Sequence, residues 1–358
     1  MYCKQGIIGA QFSHHQRGHA LCCNTGQRYK QSPMNVWWEQ LKESRDLIKQ
    51  NQKVKDCVSC YGAEDKGVES FRQIYNRQFK TLHETDLPKH IDLDLSNFCN
   101  LKCIMCGPDR SSTWAKEKNM FPASNGVTSI DANELEEICK LSDEVEHITL
   151  QGGEPTMVKE YQTYFTYLKD NNIIQNVDLN VVTNLTNLNT KFFSYVPYFK
   201  SVNIAVSVDA YGKANDYIRF PSHFEKITSN IKKLNQYDNI QVTVDSAIQL
   251  LSMFDIKNFI TWINELQNHF DRSKHIFRQY IQHVWTPECL YMNNAPSTLK
   301  KHFVESVAGT KLEYLAKGLK DNNYDQNKTI DFLKQIDNTR NLNVLQYVPD
   351  LGMHYSIK

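Results

Sequence analysis

Three cysteines in one short loop are the residues of this chain best suited to unusual chemistry. Cys99, Cys103 and Cys106 are spaced four and three residues apart, so a curling loop can turn their thiolates toward one point. A structural zinc site closes its tetrahedron with four protein ligands, whereas three thiolates leave one coordination position open. The spacing therefore predicts an iron–sulfur cluster with one open iron. A zinc loop or a coincidence of buried thiols is the alternative.

A glycine-rich turn is the second candidate site. The segment Gln151–Pro155, with sequence QGGEP, directly follows a strand candidate. Two glycines let the main chain approach a ligand closely, Glu154 can accept a hydrogen bond from an ammonium group, and Pro155 fixes the exit direction. Such a segment alone is usually a plain turn. Its place behind a strand, in a chain that also has a cysteine loop, favours a ligand site.

An alternation of short β-rich runs and helical runs positions these motifs from about His90 onward. Six strand candidates are short and rich in β-branched or apolar residues: Ile91–Leu95, His147–Leu150, Val177–Thr183, Val202–Val208, Ile240–Ile248 and Ile276–His283. In parallel α/β folds the loops after the carboxyl ends of the strands line the binding site. The cysteine loop follows the first of these strands.

This pattern predicts an α/β fold of three parts. We expect a partial (β/α)6 TIM-like barrel over residues 88–285, in which six strands alternate with helices. A small N-terminal cysteine-rich module precedes it over residues 1–87. A helical C-terminal tail over residues 286–358 caps the barrel.

Five further cysteines precede the barrel, and two of them form a CxxC pair. Cys57 and Cys60 have the spacing of half a metal site, so a second pair of thiols is needed. Cys3, Cys22 and Cys23 lie upstream. A zinc knuckle and free thiols are the competing interpretations of this region.

Composition and charge argue against several other functions. The chain has 358 residues, with 41 Lys and Arg against 40 Asp and Glu, and no basic block of the kind that binds nucleic acid. No stretch approaches the roughly 20 apolar residues that cross a bilayer, and the N-terminus lacks a signal-peptide run, so we expect a cytoplasmic protein. In such a protein ten cysteines indicate metal binding more than disulfides.

The segment Asn97–Gly107, with sequence NFCNLKCIMCG, resembles the cluster loop of the radical S-adenosylmethionine superfamily. The resemblance covers about residues 88–285. It implies that Cys99, Cys103 and Cys106 hold a 4Fe–4S cluster whose open iron is chelated by the amino and carboxylate groups of S-adenosylmethionine. It also implies that an electron from the reduced cluster cleaves this cofactor to methionine and a 5′-deoxyadenosyl radical, which abstracts a substrate hydrogen.

The same resemblance implies contacts with S-adenosylmethionine at the ends of the second and fourth strands. Gly152, Gly153 and Glu154 are similar to the family motif that receives the amino group. Ser207 and Asp209 stand where the family places polar side chains against the ribose. Considered without the resemblance, a Ser and an Asp at a strand end are more often turn or cap residues.

Three further residues are implied as cofactor contacts. Arg219 is a candidate partner for the cofactor carboxylate, although a lone Arg is more often a surface charge. Asn184, after the third strand, is a comparable candidate. Met105 occupies the place where the family often has an aromatic residue beside adenine, and a Met can fill that gap.

The N-terminal cysteines resemble the SPASM and twitch modules of the same superfamily. Cys3 and Cys23 frame the C-x14-G-x4-C opening of these modules, and Cys57 with Cys60 supplies their CxxC. The resemblance implies one auxiliary 4Fe–4S cluster on these four cysteines, with Cys22 as the alternative to Cys23. The further cysteines that a full SPASM module uses for a second cluster are missing after Cys60.

A softer resemblance to twitch-type members covers residues 57–77, with Glu64, Ser70 and Arg72 among them, and residues 337–340. Together these features predict a radical S-adenosylmethionine enzyme that abstracts hydrogen from a peptide or protein. The alternatives are a small-molecule dehydrogenase or rearrangement enzyme and a non-catalytic iron–sulfur or zinc scaffold. Expected partners are S-adenosylmethionine, the substrate and an electron donor such as flavodoxin or ferredoxin, with neither nucleic acid nor membrane.

Overall fold

The computed structural model describes residues 2–14, 18–25, 38–67, 69–270, 277–284 and 286–355. The chain divides into two compact units. The first unit is formed by Met1–Phe98, Asn125–Val182 and Asn189–Asn203, and the second by Cys99–Ser124, Thr183–Leu188 and Ile204–Lys358.

Eight strands and thirteen α-helices, besides short 3₁₀ helices, are found in the described part of the chain. The strands are β1 Gly9–Ser13, β2 Gly18–Ala20, β3 His90–Asp94, β4 His147–Gln151, β5 Asp178–Thr183, β6 Ser201–Ser207, β7 Ile240–Ile248 and β8 Phe277–His283. The helices are α1 Lys4–Ile8, α2 Lys42–Lys49, α3 Val58–Asp65, α4 Phe71–Gln78, α5 Ser112–Ala115, α6 Ala132–Leu141, α7 Lys159–Asp170, α8 Gly212–Ile218, α9 Phe224–Lys233, α10 Ile256–His269, α11 Ser297–Val307, α12 Gln326–Arg340 and α13 Leu351–His354.

In the first unit the strand order is β2-β1-β3-β4-β5-β6. β1 is antiparallel to β2 and parallel to β3, and both the β3–β4 and β4–β5 pairs are parallel. Asp94 at the end of β3 is level with Gln151 at the end of β4. Residues 95–98 and the turn at 152–154 therefore both follow the carboxyl ends of neighbouring parallel strands.

In the second unit the order is β6-β7-β8, and β7 is parallel to β8. The chain passes from one unit to the other within β6, after Asn203. The strands from β3 to β8 thus follow one another in chain order, as in a partial (β/α)6 barrel. This confirms the predicted α/β fold class, and all six predicted strands begin and end within one residue of the observed ones.

β1 is an addition to the predicted sheet. All five of its residues, Gly9–Ser13, are buried, and the strand pairs with β2 along one side and with β3 along the other. Ala10 to Ser13 alternate between apolar and polar residues, but the run is short and has no β-branched residue, so its strand signal is weak. The N-terminal segment consequently extends the sheet at the β3 edge.

The helices cover the strands with apolar faces of helical period. In the first unit α7 buries Tyr161, Tyr164, Phe165 and Leu168, spaced as one helix face. In the second unit α9 buries Phe224, Ile227 and Ile231 in the same way. No helix among the described residues is long and apolar enough to cross a membrane.

A buried histidine joins the N-terminal segment to the sheet. His90 of β3 contacts Gln5 of α1 through Nδ1, at 2.6 Å from Oε1, and Thr149 of β4 through Nε2, at 3.1 Å from Oγ1. All three atoms lie in the first unit, and the side chain is almost fully buried. Burial, with a smaller effect of His147, lowers the pKa of His90 to about 3.

This histidine predicts a pH-dependent stability. The unfolded chain takes up a proton near pH 6.5 and the folded chain only near pH 3, so acidification below 6.5 favours unfolding. We expect the free energy of unfolding to fall by about 1.4 kcal/mol per pH unit from this group, or about 2 kcal/mol at pH 5. Urea unfolding of the cofactor-free protein at pH 7.5 and pH 5 measures it.

The variant His90→Gln should lose this part of the pH dependence, whatever its stability at pH 7.5. The exposed His302 provides the control, since His302→Gln should keep the wild-type dependence. Equal pH dependence in His90→Gln and wild type would refute the assignment.

Candidate functional site

The three loop cysteines lie together in the second unit. Cys99 and Cys103 are buried in one cluster with Leu101, and Cys106 and Met105 pack against it. The side chains of Cys103 and Cys106 lie close enough for each to affect the pKa of the other. The structure thus brings the predicted ligand residues to one place.

The interaction between Cys103 and Cys106 shifts their pKa values in opposite directions. The hydrogen bond from Cys103 lowers the pKa of Cys106, and the cation of Arg219 lowers it further against the effect of burial. The same hydrogen bond, together with burial, raises the pKa of Cys103.

Asp209 and Arg219 form a buried ion pair beside the loop. Arg219 Nη2 donates to Asp209 Oδ1 at 2.9 Å, and Nε lies 2.7 Å from Oδ2. Arg219 Nη1 is 4.0 Å from the sulfur of Cys103. Burial alone would lower the pKa of Arg219, but Asp209 and Cys103 raise it, so the side chain stays cationic. The two predicted cofactor contacts are therefore each other's partners.

Asn184 lies next to the first loop cysteine. Its Nδ2 donates to Asn100 Oδ1 at 2.9 Å and is 3.9 Å from the sulfur of Cys99. Its Oδ1 accepts hydrogen bonds from both the N–H and the hydroxyl of Thr186. Ser207, the last residue of β6, is also buried in this unit.

Sequence analysis missed a set of donors that hold the loop main chain. Ser111 Oγ donates to the carbonyl of Leu101 at 2.6 Å, and Thr113 Oγ1 to that of Cys99 at 2.5 Å. The indole of Trp114 donates to the carbonyl of Cys103 at 2.8 Å. The run Ser111–Trp114 follows the cysteines closely, and its hydroxyls were the available signal, because such residues often bond to nearby main chain.

The glycine turn lies in the first unit, against the segment that precedes Cys99 in the chain. Gly153 N donates to Ser96 O at 3.0 Å, and Glu154 N donates to Phe98 O at 2.7 Å. A Cβ on Gly153 would lie 2.7 Å from the carbonyl carbon of Phe98 and closer still to its oxygen. This close approach explains why the position needs a glycine.

Gly152 and Glu154 also have partners inside the protein. Gly152 has a φ of +113°, which favours glycine, and a Cβ there would overlap Asp94 Oδ1. The buried carboxylate of Glu154 accepts hydrogen bonds from Thr156, at 3.1 Å from its N and 2.6 Å from its Oγ1. Both residues thus shape the turn, in addition to any contact with a ligand.

The N-terminal cysteines all belong to the first unit. Asn24 Nδ2 donates to the sulfur of Cys60 at 3.4 Å, and Ser59 Oγ donates to Asn24 O at 2.7 Å, so the loop after β2 is held against α3. Cys3, at the start of α1, accepts from Gly6 N at 3.4 Å. Among the residues that the structure describes, no three His, Cys, Asp or Glu side chains are arranged around a single metal ion.

Cys22 and Cys23 have different neighbours. Burial raises the pKa of Cys22, and the nearby thiols Cys23, Cys3 and Cys57 contribute. Burial raises the pKa of Cys23 to about 12, with Asp92 as the next cause. The sulfur of Cys23 is also 3.4 Å from the hydroxyl of Tyr75.

An ion pair holds the CxxC helix in place. Arg72 of α4 donates from Nε to Glu64 Oε1 at 2.9 Å and from Nη1 to the carbonyl of Tyr2 at 2.8 Å. Ser70, which caps α4, also donates to Glu64. The residues singled out by the softer resemblance therefore connect α3, α4 and the segment next to Cys3.

Substitution of Gly153 tests how tightly the turn fits. A Cβ in Gly153→Ala must displace the main chain of Phe98, so we expect a loss of about 1–3 kcal/mol in unfolding free energy and less iron bound after anaerobic reconstitution. Gly107→Ala is the matched control, since a Cβ there meets no described atom within 4 Å. Urea unfolding and iron analysis measure both effects. Equal stability and iron content in the two variants would contradict the prediction.

Comparison with known proteins gives one family match. Residues 93–250 match the family model of the Radical SAM superfamily. No curated protein matches the chain significantly.

Several solved structures resemble the chain loosely. SuiB from Streptococcus suis, bound to precursor peptide SuiA, is 13% identical, with 86% of this chain and 70% of that chain covered and a TM-score of 0.40. Native anSMEcpe with bound AdoMet is 14% identical, with 71% and 62% covered and a TM-score of 0.39. A spore photoproduct lyase mutant with bound AdoMet and dinucleoside spore photoproduct is 12% identical, with 81% and 91% covered and a TM-score of 0.37. Neither fold nor function is inferred from similarities of this size.

Proposed function

We propose that the protein is a radical S-adenosylmethionine enzyme that abstracts hydrogen from a peptide or protein. The match of residues 93–250 to the family model of the Radical SAM superfamily supports this proposal. The observation that carries the proposal is the packing of Cys99, Cys103 and Cys106 into one cluster beside Arg219. Three soft thiolates suit an iron–sulfur cluster, and N–H groups near the sulfurs of Cys99 and Cys103 suit its negative charge. The residues present therefore fit a 4Fe–4S cluster with one open iron.

When bound, such a cluster supplies the electron that cleaves S-adenosylmethionine to methionine and a 5′-deoxyadenosyl radical. The chain's own residues would hold and orient the cofactor. The residues proposed to contact S-adenosylmethionine have a polar side chain, a flexible apolar side chain or, as glycines, no side chain. They are Met105, Gly152, Gly153, Glu154, Asn184, Ser207, Asp209 and Arg219. Asp209 keeps Arg219 charged and fixed, and this favours recognition of a carboxylate by the remaining N–H groups of Arg219.

We also propose an auxiliary 4Fe–4S cluster in the N-terminal module, on Cys3, Cys23, Cys57 and Cys60, with Cys22 as the alternative to Cys23. The electrostatic contact of Cys57 with both Cys3 and Cys60 supports a shared site. The segments proposed for these roles are residues 1–87 for the auxiliary module, 88–285 for the radical domain and 286–358 for the C-terminal cap.

The proposal of a peptide or protein substrate rests on the resemblance of the N-terminal module to twitch and SPASM modules. A small-molecule dehydrogenation or rearrangement is the second candidate within the same chemistry. The electron donor would be a flavodoxin or a ferredoxin. All ten cysteines are free thiols, the form that a reducing cytoplasm maintains.

Release of 5′-deoxyadenosine tests the proposed activity. Anaerobically reconstituted protein with dithionite and S-adenosylmethionine should release it, and Cys103→Ala should reduce release to background because the cluster loses a ligand. Cys289→Ala, which removes another buried thiol of the second unit, is the matched control and should keep the activity. Cluster-loaded wild type that releases none would reject the proposal.

Metal analysis tests the auxiliary cluster separately. Replacing Cys99, Cys103 and Cys106 together by Ala should leave roughly four iron and four sulfide per chain, held by the N-terminal thiols. Replacing Cys57 and Cys60 in addition should remove them. Zinc in place of iron in the first variant, or no metal at all, would contradict an auxiliary iron–sulfur cluster.

A further inference from the structure

A buried arginine at the end of α12 contacts the main chain of the cysteine loop. Arg340 Nη1 donates to the carbonyl of Tyr217 at 2.7 Å, and Nη2 donates to the carbonyl of Lys102, which lies between Cys99 and Cys103 in sequence. All of these residues belong to the second unit. Arg340 is 7% exposed, so the contact is closed to solvent.

Three aromatic rings surround this guanidinium. Its central carbon lies 5.3 Å from the ring centre of Trp114, 5.1 Å from that of Phe220 and 5.8 Å from that of Tyr217. Trp114 itself donates to the carbonyl of Cys103. Ring faces attract a cation more strongly where water is excluded. The rings thus fix the guanidinium and the loop relative to each other.

The helix that carries Arg340 is anchored next to it. Asp337, one turn earlier, accepts from the hydroxyl of Tyr217 at 2.9 Å and from Val344 N at 2.9 Å. Asn341 ends the helix in the left-handed conformation, with φ of 53°, and its N donates to Asp337 O. Arg340 also stands at the helix C-terminus, where a positive charge is favoured.

The charge of Arg340 is poorly compensated by its direct partners. Both acceptors are neutral carbonyl groups, and Nε is buried without a hydrogen-bond partner in the described part of the chain. Arg219 differs, because a carboxylate pairs with it. A buried cation without a counter-ion is costly, and a nearby anion reduces that cost. Tyr217, Cys103, Asp337 and Glu117 act electrostatically on Arg340. A cluster bound by the loop cysteines would add negative charge beside the main chain that Arg340 contacts.

We propose that Arg340 is a positioning residue for the loop cluster and that its charge raises the reduction potential of that cluster. This inference rests on the proposed function. One-electron reduction adds a negative charge to the cluster, with the electron supplied by an external reductant. A fixed positive charge beside the loop stabilises the reduced form more than the oxidised form.

The midpoint potential of the loop cluster tests this directly. Full-length protein is titrated with dithionite and redox mediators, and the EPR signal that changes when S-adenosylmethionine is added identifies the loop cluster. Arg340→Gln removes the charge, and its midpoint should be more negative than that of wild type. Arg340→Lys keeps the charge and should have a midpoint close to wild type.

Lys300 provides the matched control. It is a buried cation of the same C-terminal region, and its Nζ also donates to a main-chain carbonyl, that of Lys320, at 2.7 Å. Lys300→Gln should leave the midpoint potential unchanged, because the hydrogen bond of Lys300 goes to Lys320 and not to the cysteine loop.

The outcomes separate this inference from the proposed function. A wild-type midpoint in Arg340→Gln would overturn it and leave the enzyme assignment intact. If Arg340→Gln does not retain iron, the Arg340→Lys variant is measured instead. A midpoint potential of Arg340→Lys clearly more negative than that of wild type, or loss of iron from this variant, would also overturn the inference. A wild type without any signal that responds to S-adenosylmethionine would overturn the proposed function and the inference together.

Discussion

Hydrogen bonds to its main chain hold the cysteine loop, in which Cys99 and Cys103 are buried together and Cys106 packs against them. Lys102 N donates to Phe220 O at 2.6 Å, and Ile104 N donates to Ile218 O at 2.8 Å. The loop carbonyls accept from Ser111, Thr113 and Trp114. A buried main-chain group left without a partner costs about 1–3 kcal/mol, so each of these contacts restricts the loop to the observed conformation.

Charge is the second constraint on the same loop. Thiolates that bind a cluster in a buried place would repel one another, and two arginines supply positive charge near the loop. Arg219 is paired with Asp209 and therefore changes the net charge little, while it directs N–H groups toward Cys103. Arg340 carries a charge that carbonyl groups and aromatic rings do not neutralise. Geometry and net charge at the loop are thus set by different residues.

Much of the fold could be predicted from local sequence. The six strands from β3 to β8 were found within one residue, because each is a compact apolar run between turn signals. The spacing of Cys99, Cys103 and Cys106 also identified the thiols that pack together. β1 was not predicted, because Gly9–Ser13 is short, has no β-branched residue and begins with a glycine, although all five residues are buried.

The partners within the site could not be predicted in the same way. Arg340 lies 238 residues from Lys102 in sequence, and nothing local indicates which carbonyl it meets. Asp209 and Arg219 were both predicted as cofactor contacts, but a list of candidates does not show that two of them neutralise each other. The glycines of the turn were assigned to ligand approach, and the structure adds the main chain of Phe98 as a neighbour. Tertiary contacts decide these pairings.

We propose that the loop thiols hold a cluster with one open iron. Electron–nuclear double resonance of the reduced protein with S-adenosylmethionine, labelled with ¹⁵N in the amino group and ¹⁷O in the carboxylate, tests this proposal. We expect hyperfine coupling of both labels to the cluster, present when Cys57 and Cys60 are replaced and absent when Cys103 is replaced. An intact, reduced loop cluster without coupling to either label would contradict it.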